Sequence, residues 1–171
     1  MGRLDGKVAI ISGAARGQGE AEARLFTDEG ARVVLGDVLD ERGAQVAADI
    51  GDAARFVTLD VRDASSWANA VETAEREFGP VTVLVNNAGS LRFAALMDTS
   101  AEQFREVFEV NQLGTFLGMQ AVVPSMLRAG GGSIVNISST NGLSGFPATI
   151  SYTATKWAVR GMTRTAAMEL G

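Results

Sequence analysis

Short apolar runs and amphipathic stretches alternate from one end of this chain to the other, and that alternation constrains the fold most. Val8-Ala9-Ile10-Ile11 is an apolar run closed by Ser12-Gly13, the pattern of a strand buried on both faces. Over residues 17–29, Ala21, Leu25 and Phe26 share one helical stripe, and Gly30 stops it. The pattern then repeats. Strands are expected at 32–36, 55–59, 81–85 and 133–137. Helices are expected at about 41–49, 63–78, 100–127 and 151–170. Gly79-Pro80 and Gly130-Gly131-Gly132 supply the breaks. Strands each followed by a helix pair in parallel, because the chain must cross over to start the next strand. Five βα units therefore predict an α/β fold: a doubly wound, mostly parallel sheet with helices on both faces, as one domain over residues 1–171.

Composition limits the chemistry available to such a sheet. The chain holds no Cys, no His and a single Tyr. An imidazole base, a thiolate nucleophile and a His or Cys metal site are excluded, so no metal site is expected. Lys7 and Lys156 are the only lysines. A net charge of −5 argues against nucleic acid or an anionic membrane as partner. No apolar run approaches the roughly 18 residues of a membrane span, and the N-terminus lacks the core of a secretory signal. A soluble, cytoplasmic protein is expected.

The first βα turn reads Ser12-Gly13-Ala14-Ala15-Arg16-Gly17-Gln18-Gly19. Glycines where a strand hands over to a helix permit a tight turn and close approach of a phosphate to free N–H groups. The spacing is GxxxGxG rather than GxGxxG. Asp37 ends the second strand, 18 residues after Gly19. In a doubly wound sheet a carboxylate there accepts hydrogen bonds from a ribose and repels a 2′-phosphate, which favours NAD over NADP. Arg16 is a competing signal, since a guanidinium could hold that phosphate; no basic residue follows Asp37, so the carboxylate decides. Asn86-Asn87-Ala88-Gly89 closes the fourth strand with amides that need partners. Asn111, a poor helix former, lies on an apolar stripe with Val107 and Phe104, so its amide must be paired or used. Ser138-Ser139 ends the fifth strand, and Tyr152 and Lys156 follow at i and i+4 on one helical face.

Taken together, the Gly-rich turn, Asp37, Asp60-Val61, Asn-Asn-Ala-Gly, Asn111, Ser139 and Tyr152-x-x-x-Lys156 resemble the short-chain dehydrogenase/reductase family over essentially all 171 residues. Within it, Gly36-Asp37-Val38-Leu39-Asp40-Glu41, Val135-Asn136-Ile137-Ser138-Ser139 and Lys156-Trp157 look most like bacterial 3α/20β-hydroxysteroid dehydrogenases. The resemblance implies an NAD-dependent oxidoreductase interconverting a secondary alcohol and a ketone. Tyr152 would be the acid/base and would also contact the cofactor, and Lys156 would stabilise its phenolate and bind the nicotinamide ribose. Ser139 would hold the substrate oxygen, and Asn111 would anchor a water relaying protons from Lys156. Gly13, Arg16, Gly17, Gln18 and Gly19 would line the pyrophosphate and ribose, Asp37 the adenosine ribose, Asp60 and Val61 the adenine, and Asn87 the adenosine side. Ser12 stands where the family usually has Thr and keeps the hydroxyl.

Two other classes compete. A nucleotide-binding fragment or silent relative would typically lack Tyr152 or Lys156, and both are present. An S-adenosylmethionine-dependent enzyme on a similar sheet gives the pair no role. Leu91, Phe93, Leu143, Phe146 and Pro147 suggest an apolar pocket for a steroid or other lipophilic small molecule. The last two helices resemble those that pair in family dimers and tetramers, so a homo-oligomer is expected. Against the family the chain stops after the Tyr/Lys helix. The expectation is a C-terminally incomplete domain with the fifth strand left as an apolar edge and little activity of its own.

Overall fold

The computed structural model describes residues 2–171. The elements alternate as β1 (Val8–Ser12), α1 (Gly17–Asp28), β2 (Arg32–Asp37), α2 (Asp40–Ile50), β3 (Ala54–Thr58), α3 (Ala64–Glu77), β4 (Val83–Asn86), α4 (Ala101–Phe108), α5 (Gly114–Arg128), β5 (Ser133–Asn136) and α6 (Ile150–Leu170). All four strand pairings are parallel, in the order β3-β2-β1-β4-β5. Strand order reverses direction between β1 and β4, and a crevice opens at such a switch point beyond the carboxyl ends of the strands.

β1 is buried at all five positions, because it is central and covered on both faces. Its residues alternate between two cores. Val8 and Ile10 join Val34, Leu84, Trp67 of α3 and Val122 of α5. Ala9 and Ile11 join Val33, Leu35, Val85, Ala23 of α1 and Val46 of α2. Trp67 is fully buried, and its indole N–H donates to the Val61 carbonyl at 3.0 Å, so the loop after β3 is pinned to the core.

The expected elements are present, with two differences that bear on the site. β4 starts at Val83 rather than Val81, because the Val81 N–H is taken by the Ser125 hydroxyl at 2.9 Å. The helix expected over 100–127 is not one α-helix. It is interrupted by a π-turn over Glu109–Leu113, with Asn111 at its centre. π-turns insert one extra residue into a helix and frequently mark functional sites. β5 is an edge strand, with Val135 43% exposed. Among the described residues no helix is long and apolar enough to cross a membrane.

Candidate active site

Every strand end on the carboxyl side delivers one of the expected residues. At the end of β1 the Ser12 hydroxyl accepts from the Asn87 and Ala88 N–H groups at 3.2 and 3.1 Å. The Asn87 amide donates back to the Ser12 and Gly13 carbonyls, both at 3.0 Å. The turns after β1 and β4 are thereby laced together. Gly13 is required twice over: its φ is +68°, and a Cβ there would sit 2.8 Å from the Ala88 Cα. A Cβ on Gly19 would meet the Gly13 carbonyl oxygen at 2.3 Å. Gly17, in contrast, has φ +61° and faces open space. It begins α1, whose N-cap Arg16 makes no side-chain cap. The first-turn N–H groups are left for an outside acceptor, and the helix dipole adds attraction for an anion.

A cavity of about 500 Å³ opens in front of that turn, lined by Gly13, Arg16, Gly17, Asp37, Asp60, Val61, Asn87 and Gly89 among others. Asp37 is 8% exposed; its Oδ2 accepts from Ala15 N at 2.9 Å and its Oδ1 from Leu39 N at 3.1 Å. These bonds fix the carboxylate at the cavity wall. Asp60 accepts from the Arg62 side chain, which holds its carboxyl below the usual range. Gln18 lies outside this wall; its amide donates to Glu22 on its own helix at 2.8 Å.

At the other end of the cavity Gly89 approaches α4–α6. A Cβ built on Gly89 would lie 3.6 Å from Asn111 Oδ1 and 3.9 Å from Lys156 Nζ, so the three residues meet. Lys156 is 4% exposed; its Nζ donates to the Ile137 carbonyl at 2.7 Å and lies 5.5 Å from the centroid of the Tyr152 ring. Burial pushes its ammonium down to about 8, still mostly charged at neutral pH. The Asn111 side chain is engaged on both sides. Its Oδ1 accepts from Ser90 N at 2.7 Å, and its Nδ2 donates to Ser90 O at 2.9 Å and to Thr155 Oγ1 at 3.1 Å. Asn111 thus ties the loop after β4 to the Tyr/Lys helix. The Ser139 hydroxyl accepts from Asn141 N at 3.2 Å.

Several contacts that hold the site carry no sequence signal. Ser138 donates to the Lys156 carbonyl at 3.1 Å, and the Asn141 amide donates to the Thr149 and Thr153 hydroxyls, both at 3.0 Å. Together they anchor the start of α6 to the end of β5. Small polar residues in loops give no periodicity, so the partners that Ser138 and Asn141 choose are not legible in the sequence.

The arrangement suits an extended anionic ligand with a ribose at the Asp37 end and a reactive end beside Lys156. The uncapped N-terminus of α1, the open face of Gly17 and the fixed Asp37 carboxylate fit a dinucleotide. No cluster of three or more Asp, Glu, His or Cys able to hold a metal exists among the described residues.

A doubly wound parallel sheet with a crevice at its switch point defines a Rossmann-like α/β domain. The chain belongs to the short chain dehydrogenase family, whose profile matches residues 7–171. It is 52% identical over 170 residues to the 3-alpha-(or 20-beta)-hydroxysteroid dehydrogenase of Mycobacterium tuberculosis, covering 99% of this chain and 65% of that protein. It is 46% identical to the trans-4-hydroxycyclohexanecarboxylate dehydrogenase of Sinomonas cyclohexanicum, over 99% of this chain and 68% of that one. It is 42% identical to the cyclopentanol dehydrogenase of a Comamonas species, over 99% and 69%. The chain thus spans about two-thirds of the length of these relatives, and 65% of the mycobacterial one.

Proposed function

We propose that this protein is an NAD-dependent oxidoreductase that interconverts a secondary alcohol and a ketone. The observation that carries this reading is the meeting of Gly89, Asn111 and Lys156 at one end of the cavity whose other wall is Asp37. Nicotinamide dinucleotide, when bound, supplies the acceptor or donor of hydride, which no side chain here can do.

The chain's own residues do the rest. The first-turn N–H groups of α1, with Arg16, Gly17 and Gly19, hold the pyrophosphate. Asp37 accepts from the ribose hydroxyls, and its charge disfavours a 2′-phosphate. In oxidation, Tyr152 as phenolate takes the hydroxyl proton of the alcohol; in reduction it returns that proton to the carbonyl oxygen. The nearly buried Lys156 ammonium, 5.5 Å from the ring centroid, is the positive charge the protein places beside Tyr152. Ser139 Oγ donates to the substrate oxygen as charge develops there. Asn111, held between Ser90 and Thr155, would anchor a water that relays protons from Lys156 to solvent.

The relatives' names point to alicyclic secondary alcohols and steroids. Leu91, Phe93, Leu143 and Phe146 are exposed on two loops joined by the Ala94 N–H to Ala148 carbonyl bond at 3.0 Å. Such a surface fits a lipophilic substrate. The exposed Phe104, Phe108 and Phe116 along α4 and α5 fit a homodimer or homotetramer. A cytoplasmic site of action matches the NAD requirement. The test is absorbance at the reduced-nicotinamide band, with the protein, NAD or NADP, and a panel of cyclic secondary alcohols. Reduction of NAD in preference to NADP is expected. No reduction of either with any alcohol or reverse ketone contradicts the reading.

A further inference from the structure

Tyr152 sits in the first turn of α6, and that turn is not capped. The N-cap, Thr149, has φ −130° and ψ 29° and makes no side-chain cap bond. An uncapped helix end frays, because its first N–H groups lack partners. The later turns are fastened from outside. Lys156 Nζ donates to the Ile137 carbonyl at 2.7 Å, and the Lys156 carbonyl accepts from Ser138 at 3.1 Å. Arg160 Nη1 donates to the Gly142 carbonyl at 2.6 Å, and Thr155 Oγ1 accepts from Asn111 at 3.1 Å. None of these four bonds reaches back to residues 149–153.

The Asn141 amide does. Its Nδ2 donates to Thr149 Oγ1 and to Thr153 Oγ1, both at 3.0 Å, so the fork straddles Tyr152. The protons around it have one consistent assignment. Thr149 Oγ1 lies 2.9 Å from the Phe146 carbonyl, which only accepts, so the hydroxyl directs its proton there. Thr153 Oγ1 then donates to Thr149 Oγ1 at 3.1 Å. Both hydroxyls have lone pairs left, and the Asn141 NH2 supplies the two donors. The same residue holds Ser139: its backbone N–H donates to Ser139 Oγ at 3.2 Å, which leaves the Ser139 proton for another oxygen. The chain leading into the fork is strained. Ala148 has φ +58°, a conformation that L side chains rarely adopt and that persists only where its surroundings over-determine it. Its carbonyl accepts from Ala94 N at 3.0 Å, and the next residue, Thr149, is buried.

We propose that Asn141 is a positioning residue: through one side-chain amide and one backbone N–H it sets the separation of Tyr152 and Ser139. The inference rests on the alcohol/ketone reading of the site. Proton transfer needs the acid/base within hydrogen-bond reach of the reacting oxygen, and a misplacement of about 1 Å can cost about 100-fold in rate. Asn141→Asp keeps the shape of the side chain and removes both donors. A carboxylate there faces two hydroxyls whose protons are already committed.

Steady-state kinetics with NAD and a cyclic secondary alcohol test this in wild type, N141A, N141D, Y152F and N141A/Y152F. N141A is expected to lower kcat about 30-fold, with NAD affinity by titration within about threefold of wild type. N141D is expected to lose at least about as much. In Y152F the group being positioned is already gone, so N141A should cost no more than about threefold further. A merely structural role, which lowers the folded fraction, costs the same factor in both backgrounds. A kcat within about threefold of wild type in N141A or N141D, or an equal loss with and without the Tyr152 hydroxyl, overturns the inference and leaves the oxidoreductase reading intact. No turnover by the wild type with any alcohol or ketone overturns both. Should N141A fail to fold, T153V takes one acceptor from the fork instead. Its kcat is expected to fall about fivefold, and an unchanged kcat overturns the inference.

Discussion

Lys156 carries its amine into an interior that disfavours charge, and that sets the pH behaviour of the fold. Its ordinary value of 10.5 falls to about 8 in the folded chain because of burial. Between these values the unfolded chain binds a proton that the folded chain does not, so stability contributed by this group rises with pH from about 8 to 10.5. Below 8 the folded state carries the full cost of the buried ammonium. Against Lys156→Met, the wild type should therefore gain up to about 3 kcal/mol across that window in denaturant titrations at stepped pH. Parallel curves would show that the amine is not desolvated. Asp37 acts at the same scale. Asp37→Ala strips the partner from Ala15 N and Leu39 N. It should weaken NAD binding by about tenfold or more and narrow the gap to NADP, as read by nucleotide titration. Asp37 is legible in sequence because a strand, a glycine turn and a fixed spacing lead to it. Arg62 is not, because a lone arginine in a loop has no pattern, and its partner is chosen only when the loop folds.

At the scale of elements, the long helix separates what a sequence can tell from what it cannot. Apolar periodicity continues through residues 101–128, so it reads as one helix. The π-turn at Glu109–Leu113 shows itself only through Asn111, whose poor helix propensity and apolar neighbours signal an amide bonded outside its own helix. Its partners are Ser90 and Thr155. Asn111→Ala leaves the Ser90 N–H and carbonyl unpaired and should cost about 2–3 kcal/mol in urea unfolding, with faster hydrogen exchange at Ser90. Gly118 in α5 carries no sequence signal, because a mid-helix glycine resembles a mere weak point. A Cβ there would sit 2.4 Å from Asn86 Oδ1 and 2.8 Å from the Trp67 ring. Gly118→Ala, which raises helix propensity, should nonetheless destabilise the protein by about 1–3 kcal/mol in the same assay.

For the whole molecule, alternation predicts the parallel sheet and the layering but not the strand order, which depends on which crossovers pack. The observed order β3-β2-β1-β4-β5 brings the ends of β1, β2, β3 and β4 to one cavity, and Ile137, just past β5, accepts from Lys156 Nζ. Residues scattered from Gly13 to Gly89 thus line one cavity because parallel strands share a carboxyl edge. The Gly-rich turn and the strand-end acids are legible because each sits at an element boundary. The lacing by Ser12, Ser138, Asn141 and Thr155 is not, since hydroxyls and amides choose partners only across the assembled sheet. The central claim is that Tyr152 moves the proton at the proposed NAD site. The most direct measurement is turnover and NAD affinity of Tyr152→Phe beside wild type, in the full protein with an oxidisable cyclic alcohol. A fall in kcat of at least about 100-fold with NAD affinity changed by no more than about 3-fold is the predicted result. A variant that keeps the full rate would contradict it.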